Sequence, residues 1–144
     1  MRNIVSMALL SGTLAAASCA TTTPAPQVAG AQIAVMKRVE FEPGSAELSA
    51  SSKATLDQAA GAIKAEPTVR EIRLEGRTDN TGTEKLNDQL ARQRADAVQS
   101  YLRDQGLPSD KVHVEALGEA LPVASNSIPE GRALNRSVTI VATN

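Results

Sequence analysis

The sequence predicts an α/β fold, a two-layer sandwich in which a mixed four-stranded sheet carries helices on one face. From Ala31 onward, strand-like and helix-like patterns alternate in the order β-α-β-α-β-β. Each strand pattern has one apolar and one polar side, so the helices are expected to cover a single face of the sheet. The β-α-β passages favour parallel strands joined by right-handed crossovers.

The first strand and the first helix show the periodicities that these elements require. One side of the strand is apolar, with an interruption at Lys37, and consists of Ile33, Val35, Val39 and Phe41. The segment 49–65 follows as a helix that Pro67 ends. Its apolar stripe is formed by Leu56, Ala59, Ala60 and Ile63.

Three further strands follow the same rule of alternation. The second strand alternates the charged residues Glu71, Arg73 and Glu75, which we expect on a solvated face, with Ile72, Leu74 and Gly76. The third and fourth strands have inward rows formed by Val112, Val114 and Ala116 and by Val138 and Ile140. Between them, the segment 117–135 is rich in Pro, Gly and Asn and is predicted to be a long irregular loop.

The second helix, which ends near Gln105, contains two polar residues on its apolar side. On a helical wheel from Leu86 to Leu102, Leu86 belongs to the apolar half, and Asn87 and Arg94 fall near its middle. At the start of the helix, Thr81 with Glu84 fits a capping box, and Thr83 is an alternative N-cap. A buried arginine needs a partner, supplied by the protein or by a ligand.

Asp79, in the turn before this helix, is a candidate partner for Arg94. The helical rise places the backbone of Arg94 about 16 Å along the axis from the helix start, so a direct bridge requires the turn to fold back. A small ligand with both an ammonium and a carboxylate would fill the gap, with Asp79 binding the cation and Arg94 the anion. The pattern alone leaves the bridge and the ligand equally open.

The composition excludes some classes of function. The 144 residues carry 15 basic and 16 acidic side chains, which gives no electrostatic footprint for nucleic acid. His113, the only histidine, has outward parity on the third strand and is expected to be exposed. It has no neighbouring ligands at metal spacing, so neither a metal site nor a cofactor is expected. Paired carboxylates or an activated nucleophile are also missing from the pattern, which argues against an enzyme.

The amino-terminal region is predicted to be a leader followed by a tether. Residues 1–18 have the basic start, apolar stretch and small-residue end of a signal peptide. The run AASC resembles a bacterial lipobox, although Ala16 departs from the preferred branched residue, and makes Cys19 the expected lipidation site. Cleavage without lipidation is the alternative. Residues 19–30, the cysteine with a segment rich in Thr, Pro and Ala, then form a flexible tether, and 31–144 form the domain.

Several motifs in the domain resemble those of one known family. They are GRTDNTG at 76–82, FEPGSAELS at 41–49, GRALNRSV at 131–138, and the helix residues Asn87, Leu90, Arg94, Ala95, Val98 and Leu102. Together they are similar to the OmpA-like C-terminal domain over nearly all of 31–144. Three residues depart from the family pattern: Arg77 stands where a His is usual, Ala91 where a Ser is, and Ser137 where a second Arg is common.

The resemblance implies noncovalent binding of peptidoglycan at the zwitterionic end of meso-diaminopimelate. The ammonium of that ligand would contact Asp79 and its carboxylate Arg94, with Asn87 lining the site and Arg136 as a further contributor. Arg77 would place an extra positive charge near Asp79.

The leader and the domain together imply a lipoprotein of the cell outer membrane whose domain faces the periplasm, similar in layout to the peptidoglycan-associated lipoproteins. Its partners would be peptidoglycan and, through the lipid anchor, the outer membrane. The alternatives are a component of a Tol-type complex that acts through periplasmic or outer-membrane proteins, and a wall-modifying enzyme.

Overall fold

The computed structural model describes residues 32–144, within which four strands and three α-helices follow one another. The predicted signal peptide, Cys19 and the tether lie outside these residues. The elements are β1 (Ile33–Glu40), α1 (Ala50–Ala65), β2 (Glu71–Arg77), α2 (Glu84–Asp104), β3 (Val112–Gly118), α3 (Pro129–Asn135) and β4 (Ser137–Thr143). The predicted α/β fold with a mixed four-stranded sheet is confirmed.

The last strand of the chain lies inside the sheet, in the order β1-β4-β2-β3. β4 is antiparallel to both β1 and β2, whereas β2 and β3 are parallel neighbours. Ile33 pairs with Thr143 at one end of the β1–β4 ladder, and Glu40 pairs with Ser137 at the other. We call the latter the Ser137 end. β1 and β2 end at the Ser137 end, and β4 begins there. The first residue of β1, Ile33, therefore lies at the opposite end of the sheet, where the chain enters it.

The core lies between the sheet and the two long helices. α1 packs on β1, and α2 packs on β2, β3 and β4. The buried residues that join the layers are mostly aliphatic, and they include Val39, Leu56, Leu74, Val98, Leu102 and Ile140. Ala31–Asn144 forms one compact unit. Because its core is built from its own elements, we expect this segment to fold by itself.

α2 lies unusually close to β2 at Gly76. A Cβ atom on this residue would collide with the main-chain oxygen of Ala91 and approach the Cβ of Ala95 at 3.3 Å. The missing side chain therefore permits the close approach of helix and strand. At its start, α2 is capped by Thr83, whose Oγ1 accepts a hydrogen bond from the Leu86 amide at 3.3 Å. The capping box of Thr81 with Glu84 was wrong, and the alternative N-cap, Thr83, is confirmed.

Three local expectations from the sequence need correction. Ile33 was expected on the inward side of β1, but it is 60% exposed, because the register shifts between Ile33 and Val35. Leu86, in the first turn of α2, was placed on its inner half and is also exposed. The loop 117–135 contains the short helix α3, which begins with Pro129 at its first position.

None of the helices in the described part of the chain has the length and apolar character needed to cross a membrane.

Candidate functional site

The four residues predicted to bind a ligand lie at or near the Ser137 end of the sheet. Asp79 follows β2, Arg136 immediately precedes β4, and Asn87 and Arg94 are in the first half of α2. Three of them are buried: Asp79 is 6% exposed, and Asn87 and Arg94 even less. Arg136 retains some exposure, with 17% of its side-chain surface accessible. The fold therefore brings one carboxylate and two guanidinium groups into the same region.

Asp79 is held by two neighbours. Its Oδ1 accepts hydrogen bonds from the main-chain amide of Thr81, at 3.0 Å, and from the Thr81 hydroxyl. Its Oδ2 accepts a bond from Nη1 of Arg136 at 3.2 Å, which makes an ion pair. Burial acts to raise the pKa of this carboxyl, but the bonds from Thr81 and the Arg136 guanidinium outweigh it and hold the pKa below its usual value. Asp79 is thus an anion at neutral pH.

Arg94 is completely buried, and main-chain oxygens surround its guanidinium. Nε donates to the carbonyl of Ser45 at 2.8 Å, Nη2 to that of Glu42 at 3.1 Å, and Nη1 to that of Arg77 at 3.1 Å. Its Cζ lies 5.3 Å from the centre of the Phe41 ring, within the range of a cation–π contact. This single side chain therefore fastens α2 to the 42–45 turn and to the end of β2.

The Arg94 guanidinium remains charged despite its burial. Its pKa is lowered to about 10, chiefly by burial and also by the positive charge of Arg136, while the nearby Asp79 carboxylate acts in the opposite direction. A value near 10 leaves the group protonated at neutral pH. Asp79, Arg94 and Arg136 therefore contribute one negative and two positive charges to this region.

Asp79 and Arg94, which the sequence suggested as partners, do not pair with each other in the structure. Among residues 32–144, the ion pair of Asp79 is with Arg136, and Arg94 is compensated by carbonyl groups. The pairing of Asp79 with Arg136 joins residues 57 positions apart. Helical periodicity carries no information about such a contact. The carbonyls of Glu42 and Ser45 had no signal in the sequence either, since any residue supplies a main-chain oxygen.

Asn87 faces a carboxylate that the sequence analysis did not single out. Its Nδ2 donates to Oε2 of Glu119, in the loop that follows β3. Because Glu119 lies 32 residues further along the chain, only the fold reveals this neighbour. The amide of Asn87 thus links α2 to the loop after β3 at the edge of the site.

The side chain of Arg77 lies away from Asp79, contrary to expectation. It points to the helix-free face of the sheet, where Nη2 contacts Glu75 at 2.9 Å, Nη1 contacts Thr139 at 3.2 Å, and Nε donates to the carbonyl of Leu121 at 2.9 Å. Only its main-chain oxygen, bound by Arg94, takes part in the site. The alternation of β2 explains this, since Arg77 has the same parity as Arg73 and Glu75.

Thr78, between Arg77 and Asp79, has a buried hydroxyl without a hydrogen-bond partner in the described structure.

Elsewhere, His113 is exposed on β3, as its parity predicted. Within 32–144, no group of three His, Cys, Asp or Glu residues converges to hold a metal ion.

Comparison with known proteins shows clear relatives. The chain is 33% identical over 155 residues to the outer-membrane lipoprotein YfiB of Pseudomonas aeruginosa, covering 96% of this chain and 92% of YfiB. It is 45% identical over 86 residues to the peptidoglycan-binding protein ArfA of Mycobacterium tuberculosis. That second match covers 60% of this chain and only 26% of ArfA.

Solved structures show the same fold. The peptidoglycan-associated lipoprotein from Burkholderia pseudomallei superposes with a TM-score of 0.68 at 30% identity, covering 74% of this chain and 89% of that one. The model of the OmpA family matches residues 40–136, a range that contains all four candidate site residues. The family match and the identity to YfiB over almost the whole length lead to one conclusion: this chain belongs to the OmpA family.

Proposed function

We propose that this protein binds peptidoglycan noncovalently and, through a lipid on Cys19, links the outer membrane to the cell wall. The ligand is the zwitterionic end of meso-diaminopimelate in the stem peptide. Asp79 and Arg94 are its principal partners, and Asn87 and Arg136 complete the site. The names of the relatives support this proposal, since ArfA is a peptidoglycan-binding protein and YfiB an outer-membrane lipoprotein.

One observation carries the assignment of the site. Asp79 and Arg94 are both buried and oppositely charged at the same end of the sheet, yet they do not form an ion pair with each other. Buried charges need partners, and here each has its own: Asp79 has Arg136, and Arg94 has three main-chain carbonyls. A ligand with both signs of charge would compensate Asp79 and Arg94 together, which is the role we assign to the ligand.

The contacts suggest how the ligand is shared among the charged groups. The ligand ammonium binds Oδ2 of Asp79 and displaces the guanidinium of Arg136 from it. The guanidinium of Arg136 is then free to bind the ligand carboxylate. Arg94 uses three of its five N–H groups on carbonyls, which leaves two for a carboxylate once the covering side chains move. Since Thr81 continues to hold Oδ1, the carboxylate of Asp79 keeps its orientation during the exchange.

The anchor and the tether set the place of action. Residues 1–18 direct export, lipidated Cys19 holds the protein in the outer membrane, and residues 20–30 allow the domain to reach the wall from the periplasmic side. Stable attachment requires more than one acyl chain, which is the arrangement in bacterial lipoproteins.

The proposed role is binding rather than catalysis. The names of YfiB, ArfA and the peptidoglycan-associated lipoprotein describe anchored or binding proteins. Incubation of sacculi with the purified domain is therefore expected to release no soluble muropeptides, and release above a boiled control would contradict this role.

The test of the site is co-sedimentation of residues 31–144 with diaminopimelate-type sacculi. We expect the wild-type domain to sediment with the sacculi and Asp79→Asn to remain in the supernatant. The matched control is Asp96→Asn, which removes a carboxylate from the exposed surface of α2. Equal sedimentation of all three proteins would disprove the assignment of Asp79.

A further inference from the structure

The face of the sheet that carries no helix contains a groove of about 600 Å³. Thr139 and Val141 of the central strand β4 line it, between side chains of β1 on one side and β2 on the other. Val123, from the loop after β3, contributes to its rim. None of the four residues of the proposed peptidoglycan site lines this groove.

The apolar part of the rim is exposed. Ile33 is 60% exposed, Met36 62% and Val123 45%, and all three line the groove. Single exposed apolar side chains are ordinary, but a group of them around one groove indicates a surface that contacts another molecule or a membrane.

The charged part of the groove is mostly basic. Four of its lining residues are cations, Lys37, Arg38, Arg73 and Arg77, and Glu75 is the only lining carboxylate among residues 32–144. Lys37 pairs with the core residue Ile140 and so has the opposite parity to Arg38. Glu75 is neutralised by Arg77 at 2.9 Å. Arg73 lies 3.9 Å from Glu71 in a half-exposed pair, a geometry that binds weakly.

Two of these cations are free of ion pairs. Neither Lys37 nor Arg38 has an acidic partner within 4 Å in the part of the chain that the structure describes. The whole sequence has a net charge of −1, so the excess of positive charge is a local property of this face.

We propose that this face docks on an anionic phospholipid surface. Arg38 and Arg73 contact lipid phosphates, while Ile33, Met36 and Val123 enter the boundary between headgroups and acyl chains. Basic side chains beside exposed apolar ones are the combination that anionic membranes attract. The proposal adds a second membrane contact to the lipid on Cys19 and is independent of peptidoglycan binding.

The position of the groove in the chain supports a membrane as its occupant. Ile33 is the first residue of β1, and the roughly 13 residues between it and Cys19 span at most about 45 Å. A lipid on Cys19 therefore keeps the groove close to the membrane, where a weak surface contact becomes effectively intramolecular.

Charge disfavours two other occupants. The segment 20–32 contains no charged residue, so it cannot form an ion pair with Lys37 or Arg38. A second copy of the domain, docked face to face, would bring two basic surfaces together.

The experiment measures sedimentation of residues 31–144 with vesicles of phosphatidylglycerol and, separately, of phosphatidylcholine. We expect binding to the anionic vesicles that weakens with added salt. Arg38→Gln/Arg73→Gln should reduce the partition coefficient roughly tenfold or more, since each basic residue near such a surface contributes about fivefold. The matched control, Lys53→Gln/Arg103→Gln, removes two exposed cations from the helical layer and should bind like the wild type.

Three results would overturn the proposal: no binding to anionic vesicles, equal binding to both lipids, or an equal loss in the two double variants. Dimerisation in sedimentation velocity that Met36→Gln abolishes would assign the face to a second copy instead. Arg38→Gln/Arg73→Gln should still sediment with sacculi, so a failure here is distinguishable from a failure of the peptidoglycan proposal.

Discussion

The guanidinium of Arg94 donates a hydrogen bond of 3.1 Å to the main-chain oxygen of Arg77, while the side chain of Arg77 lies on the opposite face of the sheet. The two arginines are thus connected through the backbone of β2, and their charges are kept apart by the sheet itself. One arginine organises the proposed site from inside, and the other belongs to the helix-free face.

This arrangement predicts that Arg77→His, which restores the residue usual in the family, leaves sacculus binding unchanged within about twofold. The main-chain oxygen that Arg94 needs is present in any residue at this position. Co-sedimentation across a range of sacculus concentrations checks this expectation. Weaker or stronger binding by tenfold would mean that the charge of Arg77 reaches the ligand after all.

Arg94→Met should destabilise the domain by about 3 kcal/mol or more. The substitution removes the donor to three main-chain oxygens and leaves the buried Asp79–Arg136 pair without its neighbour. Urea denaturation followed by circular dichroism measures the loss. Arg92→Met, on the exposed side of the same helix, should cost no more than about 0.5 kcal/mol. A similar loss in both variants would show that the buried bonds contribute little.

Gly76→Ala should also destabilise the domain, by about 1 to 3 kcal/mol, because the new Cβ collides with the backbone of α2 at Ala91. Gly61→Ala is the matched control, since a Cβ there meets nothing within 4 Å. In the middle of α1 this second change should stabilise by about 0.5 to 1 kcal/mol. Opposite shifts of the urea midpoint are expected, and shifts of the same sign would contradict the close contact of α2 with β2.

Asp79→Asn should remove the pH-dependent contribution of this carboxyl to the free energy of unfolding. The pKa of Asp79 is lower in the folded protein than its ordinary value of 3.8, because the bonds from Thr81 and Arg136 outweigh burial. Such a carboxyl stabilises the fold fully when the pH is above its ordinary pKa. This contribution is lost as the pH falls through the lowered pKa of the folded protein.

The difference in unfolding free energy between wild type and Asp79→Asn is therefore expected to be constant from about pH 7 to 5 and to shrink below about pH 4. Urea titrations at each pH measure it, with Asp96→Asn as the exposed control. A difference that already changes between pH 7 and 5 would place the pKa of Asp79 above its ordinary value.

Local patterns in the sequence predicted the elements and the inward direction of the unusual residues. The helical wheel placed Asn87 and Arg94 on the inner side of α2, and both are buried. Strand alternation likewise predicted the exposure of His113 and Arg73. These predictions succeed because side-chain direction follows from the period of the element and needs no knowledge of the partner.

Contacts between distant segments were beyond the same reasoning. The bond of Arg136 to Asp79 depends on β4 entering the middle of the sheet, which the order of the elements did not specify. The interaction of Asn87 with Glu119 depends on the path of a long loop. The helix α3 was missed because seven residues are too few for a clear period, even though Pro129 marks its start.

The opposite placement of Ile33 and the Ser137 end has a mechanical consequence. If the chain ahead of Ile33 is held by the membrane and the Ser137 end by the wall, tension between them runs along β1. Its ladder with β4, seven residue pairs from Ile33 to Glu40, is then loaded in shear, so that its hydrogen bonds share the force instead of opening one by one. The domain is therefore built to transmit a pull lengthwise, as a link between the membrane and the wall must.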